Sequence, residues 1–138
     1  MRRTEGLRNG YRGYIASRPI RGNRTPQHVQ NLVVRDYANR RDLPFILSAT
    51  EFAMPGCYVV LEGVMRELDS LAGVILYSLF MLPDDVGHRK AIYDRIVGSG
   101  ATLFAAVEGY QIRSKADVSR VEEIWLISET LKQCPATI

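Results

Sequence analysis

Little in this chain could staple it together or hold a metal, since its 138 residues include two cysteines and two histidines. Cys57 and Cys134 are far from a C-x-x-C spacing, and one isolated couple does not make a disulfide framework. Reduced thiols in a cytoplasmic protein are the simpler reading. His28 and His88 stand alone, so no metal site is expected. Neither G-x-x-x-x-G-K-[ST] nor G-x-G-x-x-G occurs, which removes the nucleotide triphosphatase and dinucleotide-binding motifs and leaves no expected cofactor. No apolar run approaches the roughly 20 residues of a membrane-spanning helix. The start, Met1-Arg2-Arg3-Thr4-Glu5-Gly6, is basic but leads into no apolar stretch or small-residue cleavage site, which argues against secretion. Repeats, linkers and low-complexity segments are also missing.

What is present fits one globular domain. The content is 46% hydrophobic and 24% charged, and a chain of this length can bury a core without covalent help. The net charge of +3 is unevenly spread: residues 1–41 hold ten arginines against Glu5 and Asp36, a net +8, which leaves −5 for the remainder. Such asymmetry suggests an anionic partner for the first third, or arginines pairing with the acidic remainder.

Residues 1–10 lack apolar periodicity and read as a disordered or loosely docked arm ahead of a single α/β domain over 11–138. Gly13-Tyr14-Ile15-Ala16 is a short buried strand, followed by a loop punctuated by Pro19 and Gly22. Thr25-Pro26 opens a helix, with Thr25 as N-cap, Pro26 at the first helical position, and an inward stripe of Val29, Leu32, Val33 and Tyr37. A second strand over residues 43–47 precedes a loop from Ser48 to Gly56. A helix from near Cys57 then buries Leu61, Val64, Met65 and Leu68. The most apolar strand, residues 73–77, should be central. A third helix is capped by Asp84 or Asp85, carries Ile92, Ile96 and Val97 inward, and closes at Gly98-Ser99-Gly100. Residues 102–107 form a fourth strand. Ser114 or Asp117 opens a last helix with Val118, Val121, Ile124, Trp125 and Leu131 inward. Four alternations of apolar strand and helix predict a small parallel sheet of about four strands, helices on both faces, in a three-layer αβα, resolvase- or Rossmann-like fold.

Ligands of such sheets bind beyond the carboxyl ends of the strands, and four segments there carry chemistry. After the first strand come Ser17, Arg18, Arg21, Asn23, Arg24, Gln27, His28 and Asn31; guanidinium forks beside a helix start suit phosphate or carboxylate. His28, in the first helical turn, could act as a base or a donor, or be a structural histidine. After the second strand come Ser48, Thr50, Glu51 and Cys57. Partial burial of Glu51 in an apolar stretch would raise its pKa towards the general acid/base range. Cys57 at a helix start could be an activated thiolate or a small buried residue. Tyr77 and Ser78 end the third strand and Glu108 the fourth. The expected proton carriers and nucleophile are therefore Glu51, His28, Tyr77 and Cys57, the other residues binding substrate.

Several of these stretches resemble the so-called sporadic carbohydrate cluster family. They are Arg12-Gly13-Tyr14-Ile15-Ala16-Ser17-Arg18-Pro19, Pro26-Gln27-His28-Val29-Gln30-Asn31, Arg35-Asp36-Tyr37 and Leu47-Ser48-Ala49-Thr50-Glu51-Phe52-Ala53-Met54. Leu76-Tyr77-Ser78-Leu79-Phe80 and Val121-Glu122-Glu123-Ile124-Trp125-Leu126 continue the likeness, which covers roughly residues 12 to 131. It implies a sugar-related role among genes for surface polysaccharides or glycosylated metabolites. At the level of fold, the order of elements also resembles the catalytic domain of serine recombinases. The chain departs from that pattern in three ways. Ser17 stands one residue too close to Tyr14, the segment Tyr77-Ser78-Leu79-Phe80-Met81-Leu82-Pro83 has no arginine, and a DNA-binding domain is missing.

The leading expectation is a small cofactor-independent enzyme of isomerase, epimerase or lyase type on a phosphorylated, nucleotide-activated or carboxylated sugar. A non-catalytic sugar-nucleotide-binding module or partner subunit is the second reading. A nucleic-acid-binding resolvase-like domain is the third, disfavoured because only Tyr11 and Tyr14 interleave the arginines. A membrane partner is not expected, and the last helix, with Trp125 and an apolar edge, would suit a homodimer.

Overall fold

The computed structural model describes residues 10–54 and 56–133; Cys134 and all but Gly10 of the expected N-terminal arm lie outside them. In chain order the elements are β1 (Tyr11–Ala16), α1 (Gln27–Arg40), β2 (Phe45–Glu51), α2 (Val59–Arg66), β3 (Gly73–Leu76), α3 (Val86–Ser99), β4 (Thr102–Ala105), β5 (Tyr110–Ile112) and α4 (Lys115–Gln133). They build one α/β sheet in the order β2-β1-β3-β4-β5, with β3 in the middle. The pairings β1–β2, β1–β3 and β3–β4 are parallel, and β5 joins β4 antiparallel. The expected four parallel strands are therefore extended by a fifth. Its three residues are too short for a period of two to show, and the hairpin is turned by Gly109 at φ +76°, a conformation glycine adopts without a Cβ penalty.

Alternate residues of each strand face opposite layers. Tyr14, Ala16, Val74, Leu76, Leu103 and Ala105 face a large cluster with Leu61, Val64 and Met65 of α2, Ile92 and Ile96 of α3, and Val121 and Trp125 of α4. Ile15, Ile75 and Phe104 face Val34, Tyr37 and Ala38 of α1. Both sides are covered, but unequally, with three helices against one. Burying each aliphatic side chain of this kind contributes about 2 kcal/mol.

The spacing of apolar residues locates α2, α3 and β3 well. Leu61, Val64, Met65 and Leu68 are all buried, as are Ile92 and Ile96. Asp85, not Asp84, caps α3 by accepting from His88 N at 2.8 Å, and Gly100 ends it in the left-handed region. Two stripes need correction. In α1 the buried residues are Gln30, Val34, Tyr37 and Ala38, whereas Leu32 is 64% exposed; the helix is rotated because Gln30 takes an inward position. In α4, Leu131 is exposed along with Leu126 and Ile127. Pro26 proves to be the N-cap of α1, with no side-chain cap beside it. β2 runs on to Glu51 through residues expected to be loop. No helix among the described residues is long and apolar enough to cross a membrane.

An ion pair fastens α4 to α3. Arg89 donates from Nε and Nη2 to the two carboxylate oxygens of Glu122, both at 2.8 Å, while Tyr93 Oη donates to Glu122 at 2.6 Å. The Arg89 guanidinium also donates to the carbonyls of Pro83 and Asp84 and lies 3.9 Å from the centre of the Trp125 ring. Burial would push the Arg89 pKa down, but Glu122 more than offsets this and holds it above its ordinary value. Removing one partner of a buried pair leaves a charge without compensation. Glu122→Ala should therefore lower the unfolding free energy in urea by about 3 kcal/mol; a loss below about 1 kcal/mol would mean that the network contributes little.

Candidate functional site

The end of β1 is held by a side chain standing in for a strand. Residues of like parity bond to the same neighbour, so Ala16, like Tyr14, presents its backbone towards β3. Tyr77 N still reaches Tyr14 O at 3.1 Å, but β3 has ended before Ala16. Gln30 takes its place: Ala16 N donates to Gln30 Oε1 at 3.0 Å, and Gln30 Nε2 donates to Ala16 O and, at 2.8 Å, to Thr25 O. Gln30 is fully buried. One amide thus joins the strand end, the end of the following loop and the first turn of α1.

The loop between is equally fixed. Ile20 N donates to Asn23 O at 2.8 Å and Asn23 N to Ile20 O at 3.0 Å, around Arg21 and Gly22, both with positive φ. This primed hairpin turn suits glycine at one of its two central positions; Arg21 takes the other at φ 53°.

On the α1 side of β1 and β2 lies an open cleft of about 820 Å³. Ser17 and Arg24 line it from the loop, Gln27, His28 and Asn31 from α1, and Ser48 and Thr50 from β2. Seven residues expected at the site are therefore brought together. Ser48 Oγ donates to Asn31 Oδ1 at 2.6 Å, which leaves the Asn31 amide N–H groups for a ligand. The start of α1 has no side-chain cap and no acidic residue in its first turn. Val29 and Gln30 N–H bond to Pro26 O, so the orphan donors at this positive helix end are those of Gln27 and His28. No carboxylate among the described residues pairs with the exposed Arg24.

A second crevice, of about 460 Å³, opens on the other side of Arg24 and Thr25, which line both cavities. It lies between the ends of β1 and β3, where connections run off in opposite directions across the sheet, and takes in Arg21, Asn23, Tyr77, Ser78 and Glu108. Glu108 accepts from Leu79 N and from Ser78 Oγ, each at 2.8 Å. Phe80, which sequence reasoning passed over, forms part of its wall.

Three expected residues are elsewhere, and the convergence of Arg18, Arg21 and Arg24 with Glu51 does not occur. Glu51 lies on the opposite face of the sheet from Thr50. It is 1% exposed and accepts from Tyr14 Oη at 2.6 Å and from Val60 N and Leu61 N at 2.9 Å, so it caps α2 from a distance. Burial pushes its pKa up, but the bonds from Tyr14 and from the Val60, Leu61 and Phe52 N–H groups outweigh this and hold it below the usual carboxylate value. The expected raised pKa is thus reversed. Tyr14 is driven the other way, up, by its burial and by the carboxylate it serves. Cys57 lies before α2, and its Sγ faces Glu51 Oε2 at 3.8 Å. Arg18 donates to Cys57 O at 3.0 Å and lies over the Tyr58 ring. Arg21 pairs with Glu129 at 3.4 Å and packs on Phe80 and Trp125. His88 is half-buried and meets Glu62 at 3.0 Å. Among the described residues no group of three or more His, Cys, Asp or Glu could hold a metal ion. Gln30 was the main residue missed. Its signal was a polar side chain four residues before Val34 and seven before Tyr37, on the inward stripe.

No family model matches this sequence, and no curated protein matches it. Among solved structures the chain is similar to the N-terminal catalytic domain of TP901-1 integrase, with a TM-score of 0.60 and 13% identity over 88% of this chain and 97% of that one. The likeness is one of fold. It agrees with the resemblance in element order to serine recombinase catalytic domains, whereas none of these comparisons supports the expected likeness to the sporadic carbohydrate cluster family.

Because the folded pKa of Glu51 is depressed, its contribution to stability is present above the ordinary value of 4.5 and is lost as pH falls through the folded value. Glu51→Gln should lower stability at pH 7 by about 1–3 kcal/mol, since an amide cannot accept at every donor there. It should also flatten the fall in unfolding free energy below pH 4.5. An acid limb as steep as that of the unaltered chain would show that Glu51 is not the group responsible.

Proposed function

We propose that this chain binds a phosphorylated, hydroxyl-bearing small molecule in the cleft at the start of α1, in the manner of a sugar phosphate. The observation that carries this reading is the uncapped helix start facing the cleft beside Arg24, whose guanidinium pairs with no carboxylate among the described residues. Free backbone N–H groups, a positive helix end and a guanidinium fork are the ingredients of a phosphate site. Ser17, Gln27, Asn31, Ser48 and Thr50 surround it with short hydroxyl and amide side chains, which supply the mixed donors and acceptors that a polyhydroxylated body needs. With Glu51 committed to α2, His28 is the proton carrier left in the cleft, and acid–base chemistry of isomerase, epimerase or lyase type would run through it.

A second reading is a domain that engages nucleic acid, favoured by the shared fold with an integrase catalytic domain. It relies on a basic surface, yet most of the described arginines of the first third are held by carboxylates, carbonyls or rings. The two readings separate in a thermal-shift experiment. Glucose 1-phosphate at about 100 times its Kd should stabilise the chain by about 2.7 kcal/mol, and Arg24→Ala should remove most of that shift. A duplex DNA that stabilises the chain steeply less as salt rises, with no response to glucose 1-phosphate, would favour the second reading instead.

A further inference from the structure

We infer that the two cavities that share Arg24 and Thr25 form a two-part site, in which the crevice between the β1 and β3 ends is a subsite for a neutral, donor-bearing ring joined to the phosphate. The ligand class is then the nucleotide sugars, in which a nucleoside and a sugar are linked through a diphosphate. This inference rests on the reading of the cleft as a phosphate site. Arg24 and Thr25 are walls of both cavities, so an anion held by Arg24 lies at the passage between them. A ligand filling only the larger cleft would leave the crevice of about 460 Å³ to water.

The chemistry of the crevice differs from that of the cleft. Its acceptors are the Glu108 carboxylate, the Ser78 hydroxyl and the Asn23 amide oxygen. Glu108 receives one bond at each oxygen, from Leu79 N and Ser78 Oγ, so each oxygen keeps a lone pair for a further donor. A carboxylate fixed in this way accepts from hydroxyl or ring N–H groups and keeps both phosphates on the Arg24 side. Tyr77, Phe80 and Val107 add apolar surface on which a flat ring can lie. Arg21 stiffens the wall by stacking on Phe80 at 4.4 Å. Arg21, the other cation of the crevice, has its charge met by Glu129 at 3.4 Å, so the ligand's direction follows from Arg24 and Glu108: anion towards Arg24 and α1, donors towards Glu108. The loop that carries Asn23 and Arg24 is closed by its own backbone bonds between Ile20 and Asn23, so the subsite is formed before any ligand arrives.

Titration calorimetry with UDP-glucose, GDP-mannose and glucose 1-phosphate tests the inference. At least one nucleotide sugar should bind about tenfold or more tighter than glucose 1-phosphate, a gain of about 1.4 kcal/mol. Val107→Trp, at a position 55% exposed in the crevice wall, should abolish that advantage while leaving glucose 1-phosphate within about twofold. Asn23→Ala, whose backbone bonds survive the change, should weaken the nucleotide sugar alone. Equal affinity for all three probes, or a nucleotide-sugar advantage unaffected by Val107→Trp, overturns the subsite and leaves the phosphate site standing. If none of the three binds, the phosphate reading itself is overturned, and the subsite with it.

Discussion

The local order at the mouth of this sheet depends on one buried amide. β1 outlasts β3, and where the ladder stops, Ala16 would face the interior with an unpaired N–H and C=O. Each such group costs on the order of 1–3 kcal/mol when buried unpaired. Gln30 satisfies both, and in reaching them it draws the first turn of α1 against the strand and ties down Thr25 O. The cleft and the crevice are consequences, because both are bounded by the segment from Ser17 to Thr25 that Gln30 and the Ile20–Asn23 bridge hold in place.

The excess of arginine in the first third looks at first like a surface built for a large polyanion. Among the described residues, Arg12, Arg18 and Arg21 are partly buried, while Arg24, Arg35, Arg40 and Arg41 are exposed. Arg12 pairs with Glu67 at 2.9 Å, Arg21 with Glu129, and Arg40 with Asp36. Arg18 serves the carbonyls of Cys57 and Met81, and Arg35 and Arg41 lie over aromatic rings. Partial burial of charge needs such partners, and two of the carboxylates lie in the acidic remainder of the chain. The charge asymmetry is thus in part an internal complementarity, and Arg24 is the described arginine that lines the cleft.

The elements were legible in the sequence where one physical signal acted alone. Apolar spacing located Leu61 to Leu68 and Ile92 to Ile96, and Gly100 marked the end of α3. It failed where a polar residue had an inward task, as at Gln30, whose burial turns Leu32 to solvent. It failed too at β5, three residues long. The candidate site was legible at the level of segments: the carboxyl-end rule selects Ser17, Arg24, His28, Asn31, Ser48 and Thr50, which line one cleft. Which face of the sheet each side chain takes was not legible, because β2 bulges against β1 between Arg12 and Tyr14. That irregularity decides which residues face α1 and which face α2. Glu51 is therefore adjacent in sequence to a cleft residue and adjacent in space to Tyr14 on the other face.

A fold shared at 13% identity does not carry its chemistry with it, and in this chain the crossing of connections about β1 is the place to look for a site. In this chain the place is divided by charge. The side at α1 combines a positive helix end with Arg24, and the side at β3 carries the Glu108 carboxylate. An anion therefore has one favourable position and a neutral donor has another. Arg21 also lines the second side, paired with Glu129. This arrangement, set by side chains that the loops after β1 and β4 bring together, is what the small-molecule reading rests on.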